Sequence, residues 1–473
     1  MSVERQPPAM DSPPSLWSGR PGAARRGWRR VGTVLRLLAA AKRQRHLYPV
    51  GHPAMAEITS QLTDVLTDLL LAQPVVRFHI YEDTFFWENR LLLEESFLLY
   101  PLLMELKQID IGGFEFHRGI EGSEIERFVD VLHTHPRALR EMGGVAGALK
   151  EKGVASITAL PRRNVLLEKP RAEIDVAEVY RVALRSAYEF DYAASEGLPL
   201  DLRKARLFIN AMVDVVVQDR FAFLGFNSLK RYDEDTSHHC VNVCVLSVLM
   251  GTRLSLDRPQ IFALGIAALL HDLGKVRVPW QVITKPGVLT PRERDLINRH
   301  PIYGAHLLQK LPGLARIAMV VAFEHHAHYD LTGYPQIAAK DRPHLFSRIV
   351  QIADFYEAVT SSRRVYRRPM LPDMAMKMIL SRAGQMFDPT LARLFVRLLG
   401  LYPAGSVVVL DTGELAVVVR TREEDVFRPQ VKVIRGPSGE DVDPFIVNAA
   451  EDTRQVVQCV DPLEARVNVL AYV

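Results

Sequence analysis

The chain has 473 residues, 48% of them hydrophobic and 24% charged, and a formal net charge of +4. This is the make-up of a soluble globular protein too long for one ordinary core, so about two to four domains are expected. No apolar run approaches the roughly 20 residues that span a bilayer, and three cysteines cannot build a disulfide framework.

The opening MSVERQPPAMDSPPS lacks the basic-then-apolar order of a secretory signal, and the expected location is cytoplasmic. Charge is unevenly spread: residues 1–46 carry ten Lys/Arg against Glu4 and Asp11, which leaves the rest of the chain net acidic. No nucleic-acid polymer is therefore expected as a partner. Residues 1–30, with RRGWRR at 25–30, read as a disordered basic tail.

Residues 31–168 mix helix and strand patterns and read as an N-terminal α/β module of unknown role. VLRLLAAAKRQRHLYP has the pattern of a helix stopped at Pro49, and EITSQLTDVLTDLLLAQ that of a second helix. RFHIYEDTFFWENRLLL predicts one or two short strands turning at Glu82-Asp83, and GGFEFHRGI another strand. EIERFVDVLH reads as a helix capped by Ser123. His46, His52, His79 and His117 share no common spacing here and read as structural.

Residues 169–230 read as connecting helices. From 231 to 402 the pattern is almost wholly helical, with VNVCVLSVLM (241–250) and IFALGIAALL (261–270) as buried helices. Residues 403–473 change to short alternating strands, SVVVLDTGELAVVV with a turn near Asp411-Thr412-Gly413, and read as a small C-terminal β module. The fold class is multidomain and mostly α, with an α/β module in front and a β module behind.

Nine of the fifteen histidines fall between residues 238 and 344. DEDTSHHCVNV sets Asp235 and His239 four apart on one helical face. AALLHDLGK places His271 and Asp272 after an apolar run, where a helix end lets neighbours turn toward one point and the carboxylate could bridge two metals. RHPIYGAHLL supplies His300, with Pro301 at a favourable first-turn position. FEHHAHYDLTGYP sets His325 and His326 ahead of a stiff turn, and in IVQIADFYEAVTSSR Asp354 ends an apolar stretch. His238 and His306 read as facing elsewhere, and Cys240 and Cys244 as core. Imidazole and carboxylate together suit divalent cations of hard to borderline character.

The order H…HD…H…HH…D, the lysine three after Asp272, KPGVLT (285–290), the Gly-Tyr-Pro turn and FDP (387–389) resemble the HD-GYP family of the HD phosphohydrolase superfamily. The resemblance covers about 231 to 400. It implies an HD-type helical metal-binding bundle that hydrolyses cyclic di-GMP, a bacterial second messenger, to pGpG and/or GMP, with a regulatory N-terminal module. It carries metal-ligand roles onto His239, His271, Asp272, His300, His325, His326 and Asp354, and onto Asp235 for a third ion. Two or three divalent ions are implied, iron or manganese. Asp272 and Lys275 take the catalytic positions, and Lys275, Tyr334, Arg363 and Arg367 those of substrate contacts. Besides cyclic di-GMP, the partners this likeness admits are a second copy of the chain and a diguanylate cyclase or other signalling protein at the Gly-Tyr-Pro loop.

The chemistry needs such a set. A cyclic dinucleotide carries two anionic diesters that repel an anionic nucleophile. Two metals about 3.5–4 Å apart can share a water, lower its pKa from 15.7 toward about 7, and so present a bridging hydroxide for in-line attack on phosphorus. Three departures from the family pattern stand out: Ala327 in place of the usual glutamate, Leu331 in place of the usual glycine, and one extra residue between Arg363 and Tyr366-Arg367. They keep two alternatives open, a catalytically weak cyclic di-GMP sensor and an HD hydrolase for another cyclic dinucleotide or nucleotide.

Overall fold

The structure is a computed structural model that describes residues 22–162, 173–218, 236–285, 287–309, 315–337, 341–361, 369–448 and 452–472. Asp235, Arg363 and Arg367 lie outside the described residues. The chain divides into two compact units, residues 1–173 and 174–473.

The first unit starts with α1 (Gly22–Arg45) and α2 (Pro53–Ala72). Residues 22–30, read above as tail, are helical, because alanine and arginine are strong helix formers and no proline interrupts the run, which carries Gly27 and Gly32 within it. Val31, Val34, Leu35 and Leu38 recur at helical spacing along α1 and are fully buried. Strands β1 (Val75–Tyr81), β2 (Thr84–Trp87) and β3 (Arg90–Leu92) follow, then β4 (Ile111–His117), helix α3 (Gly122–His133) and β5 (Ile157–Pro161). They form one antiparallel sheet in the order β3-β2-β1-β4-β5. The stretch expected to give one or two strands gives three, because Glu82 and Glu88 both adopt left-handed backbone (φ +52° and +49°) and close two tight turns. Ser123 is not the cap of α3. Glu121 holds that position without a side-chain cap bond, and Ser123 Oγ donates to Glu121 Oε2 at 3.4 Å.

Phe78, Phe114, Phe116 and Phe128 form an aromatic core with ring centroids 5.5 to 6.3 Å apart. Each ring, fully buried, contributes on the order of 1.5–3 kcal/mol. The scattered histidines take structural roles: His52 Nδ1 accepts from Ala54 N at the start of α2, His46 packs edge-on against His133, and His117 Nε2 lies 3.2 Å from Thr158 Oγ1.

The second unit opens with α4 (Val176–Glu196), whose cap Asp175 accepts from the amides of Ala177 and Glu178, and α5 (Leu202–Gln218). Both pack on α6 (Thr236–Arg253), and α5 also packs on α7 (Arg258–Leu270). Helices α6 and α7 are apolar nearly all round and buried along almost their whole length, which is the pattern of central helices. A capping box between Asp257 and Gln260 fixes the start of α7. Then come α8 (Pro291–Ile297), α9 (His300–Gln309), α10 (Ala315–Glu324), α11 (Leu345–Thr360), α12 (Pro372–Ser381) and α13 (Pro389–Leu399). Five antiparallel strands end the chain: β6 (Val407–Leu410), β7 (Leu415–Arg420), β8 (Gln430–Arg435), β9 (Asp441–Asn448) and β10 (Val456–Val460), in the order β10-β6-β7-β8-β9. This sheet belongs to the same unit as the helices, with β10 against α12 and Arg253 of α6 paired with Glu423 at 3.1 Å. Among the described residues no helix is long and apolar enough to cross a membrane.

Candidate metal centre

Five elements bring polar side chains into the centre of the helical unit. His239 lies in the first turn of α6, His271 and Asp272 follow α7, His300 opens α9, and His325 and His326 follow α10. Asp354 lies within α11 rather than at its end, so a second carboxylate one turn on, Glu357, shares its face. The neighbours His271 and Asp272 converge because the helix tightens there: His271 keeps helical dihedrals, Asp272 does not (φ −96°, ψ 3°), and a 3₁₀ turn, Leu273–Arg277, follows.

Two groups of ligand-type atoms result, each with all members within 4.8 Å of one another: His239, His271 and Asp354, and Asp272, His300, His325 and His326. Asp272 faces both. Its Oδ2 lies 3.6 Å from His239 Nε2 and 3.5 Å from His271 Nε2, and its Oδ1 lies 3.2 Å from His300 Nε2 and 3.8 Å from His325 Nε2. Asp354 Oδ1 lies 3.1 Å from His239 Nε2, and its Oδ2 lies 3.8 Å from His326 Nδ1. The Lys275 ammonium contacts Asp272 Oδ2. Cys240, read from sequence as core, is indeed buried, but its thiol also falls within 4.8 Å of ligand atoms of His271 and Asp272.

The opposite ring nitrogens are held in place. Nδ1 of His271 lies 2.7 Å from Ala268 O, that of His300 2.7 Å from Ile297 O, and that of His325 2.9 Å from Ala322 O. A carbonyl only accepts, so Nδ1 of each ring carries the hydrogen and Nε2 presents its lone pair to the centre. His239 Nδ1 contacts Glu357 instead. Such outer partners fix ring orientation in metal sites. The lone pairs of His300 and His325 meet at 3.1 Å, which is repulsive unless a cation lies between them. His271 Nε2 and Asp272 Oδ1 are buried with no hydrogen-bond partner. Orphaned buried acceptors around one hollow are what a bound divalent cation satisfies, so the residues fit a metal site.

His271, His325 and His326 are favoured in the neutral form that binds a metal, whereas His239 is favoured as the cation and would have to release a proton to bind one. Burial lowers His271, lowers His325 well below the usual imidazole value, and takes His326 down to about 3. Burial would raise Asp272, but Lys275 and His271 outweigh it and hold the carboxyl well below the usual range. Asp354 is likewise held down, against burial, by its hydrogen bond to His239 and the charge of that ring. Burial opposes the charge on His239, yet Glu357 and Asp354 raise it to about 9.

Two glycines set the approach of the walls. A Cβ on Gly274 would stand 2.0 Å from His300 O and 2.4 Å from Gly304 N, so only glycine lets the 3₁₀ turn lie against α9. A Cβ on Gly333 (φ +93°) would stand 2.5 Å from His326 O, at the turn that places Tyr334 4.7 Å from the His326 ring. Burial pushes the Tyr334 phenol well above its usual pKa, so the hydroxyl keeps its hydrogen. Leu331 keeps left-handed backbone (φ +66°) although it carries a side chain. Leu331→Gly is expected to stabilise by roughly 0.5 kcal/mol, the relieved strain exceeding the added entropy loss. Thermal denaturation reads it, and a lower Tm would mean that packing of the leucine dominates. Ala327 is buried, and its carbonyl accepts from Gln351 Nε2 at 2.8 Å.

Of the other expected residues, His306 faces solvent and His238 is half-buried, its ring 6.5 Å from that of Tyr180. Glu357 and Asn242 were not singled out from the sequence. An acid three residues after Asp354 on one helix face was the available signal for the first.

The HD domain family model matches residues 226–391. Residues 226–391 are thus similar to HD domains, and the His/Asp groups are of the kind that could hold divalent metal ions. It is 35% identical over 240 residues, 51% of this chain and 58% of the relative, to a cyclic di-GMP phosphodiesterase of Pseudomonas aeruginosa. It is 32% identical over 158 residues, 33% of this chain and 42% of the relative, to a cyclic di-GMP phosphodiesterase response regulator of Xanthomonas campestris. A 3'3'-cGAMP-specific phosphodiesterase of Vibrio cholerae is 27% identical over 190 residues, 40% of this chain and 36% of the relative. The chain thus spans about half the length of the curated relatives it matches.

Proposed function

We propose that the helical unit is a metal-dependent phosphodiesterase that opens cyclic di-GMP to pGpG and/or GMP, under the regulation of the first unit. The observation that carries this reading is Asp272, whose two oxygens face different histidine groups, as a carboxylate shared by two cations would. His239, His271 and Asp354 would hold one ion, His300, His325 and His326 the other, with Asp272 between them; iron or manganese suits this donor set. Asp235 is the candidate for a third. Bound ions supply electrostatic stabilisation of the phosphate and an activated water.

The chain's own groups do the rest. Lys275 sits beside Asp272 with its side chain partly exposed, and can move its ammonium to a phosphate oxygen or give a proton to the leaving 3'-oxygen. Tyr334 is the candidate to donate a hydroxyl hydrogen to the substrate and to offer a ring face to a base. Arg363 and Arg367 are the candidates for bidentate phosphate contacts.

A second reading, hydrolysis of a cyclic GMP-AMP dinucleotide, is favoured by the specificity of the Vibrio cholerae relative, which the chain also matches. The test of both is anaerobic purification with metal quantitation, then product analysis with each dinucleotide. We expect bound transition metal, linear product from cyclic di-GMP, and loss of product in His271→Ala. Binding of cyclic di-GMP without linear product over hours would replace the enzyme by a sensor, and faster turnover of the mixed dinucleotide would change the substrate.

A further inference from the structure

We propose that Tyr180 is a positioning residue for one of the two metal positions, acting from outside the metal centre through a hydrogen-bond chain. The inference rests on the metal reading above. Tyr180 lies in the second turn of α4, the helix that directly follows the first unit and is anchored by its Asp175 cap. Its hydroxyl donates to Asn242 Oδ1 at 2.9 Å, Asn242 Nδ2 donates to Glu357 Oε1 at 3.3 Å, and Glu357 Oε2 receives His239 Nδ1–H. Asn242 and Glu357 are buried, so neither can exchange a lost partner for bulk water.

The polarity of the chain is consistent along its length. A phenol can only satisfy the amide oxygen here by donating, which fixes the Asn242 amide with its NH₂ toward Glu357. That in turn leaves the second carboxylate oxygen for His239, whose Nε2 then points at Asp354 and Asp272. The other group, His300 and His325, is oriented by backbone carbonyls and not by this chain. Helix α4 is fastened to the start of α6 a second time, by Ser237 Oγ to Asp191 Oδ2 at 3.1 Å, and it packs on the 3₁₀ turn that bears Lys275. The segment leaving the first unit therefore holds one metal position and touches the other wall of the site.

The test is titration of the metal-free full chain with Mn²⁺ by calorimetry, with thermal denaturation alongside. Tyr180→Phe should weaken binding of one ion by about 10-fold, leave the other ion unchanged, lower the metal-free Tm modestly as the buried Asn242 oxygen loses its donor, and be reproduced by Asn242→Ser, which breaks the next link. Tyr192→Phe, an exposed tyrosine on the same helix, should change neither. Wild-type affinity at both positions in Tyr180→Phe would overturn the inference while leaving the metal reading intact. Equal weakening of both ions with a lowered Tm would overturn it in favour of a packing role. A wild-type chain that binds no Mn²⁺ would overturn the metal reading and this inference together.

Discussion

Asp272→Asn is expected to weaken both metal positions at once and to lower the proposed cyclic di-GMP turnover by on the order of 10³-fold or more. The change is nearly isosteric, so the backbone has no reason to move. What it removes is charge and one acceptor: one end of the side chain becomes an NH₂ that points a positive dipole at a cation, whichever way the amide turns. Since one oxygen faces His239 and His271 and the other faces His300 and His325, no orientation spares both groups. Truncating a residue of one group only, such as His300→Ala, should instead cost mainly one ion. The metal-free Tm should barely fall, because Lys275 loses a partner but is exposed enough to reach solvent. Metal stoichiometry and steady-state kinetics read the effect. Retention of one full-affinity ion in Asp272→Asn would remove the shared-carboxylate reading.

Gly274→Ala should be as damaging to the site through geometry alone. The new methyl would overlap backbone atoms of His300 and Gly304, not the flexible end of a side chain, so the 3₁₀ turn and α9 must separate. Forcing such a contact costs roughly 3 kcal/mol, read as a lower Tm of the metal-free chain. It also carries His300 away from Asp272 and His325, so the second metal position should fall in affinity while His239, His271 and Asp354 keep theirs. A variant with normal Tm and two ions would mean that the contact yields more easily than its geometry indicates.

The likeness of sequence to site was uneven for physical reasons. His239, His271, Asp272, His300, His325 and His326 could be read because imidazole and carboxylate at the ends of apolar helices are costly unless used together, and Asp354 because it interrupts an apolar stretch. Their convergence needs no knowledge of side-chain angles. Glu357, Asn242 and Tyr180 could not be read as a set, since each is an ordinary polar residue on a different helix, joined only through packing over 62 to 118 positions of sequence. Cys240 was assigned to the core from its helical face, but that face also meets the end of α7. In the first unit the strands were legible from alternation, whereas the third strand is three residues long and depends on Glu88 taking a conformation that glutamate seldom adopts. The start of α1 was missed because basic composition suggested a tail where alanine and arginine in fact extend a helix.

The tethering of Nδ1 of His271, His300 and His325 to nearby backbone carbonyls has a thermodynamic corollary. The rings lose their torsional freedom when the chain folds, so ion capture orders almost nothing further. Calorimetry of Mn²⁺ uptake should accordingly show a small heat-capacity change, and chelation should leave the amide-exchange pattern of α7, α9 and α10 largely as it was. Capture would then be limited by how fast the aqueous ion sheds its hydration shell.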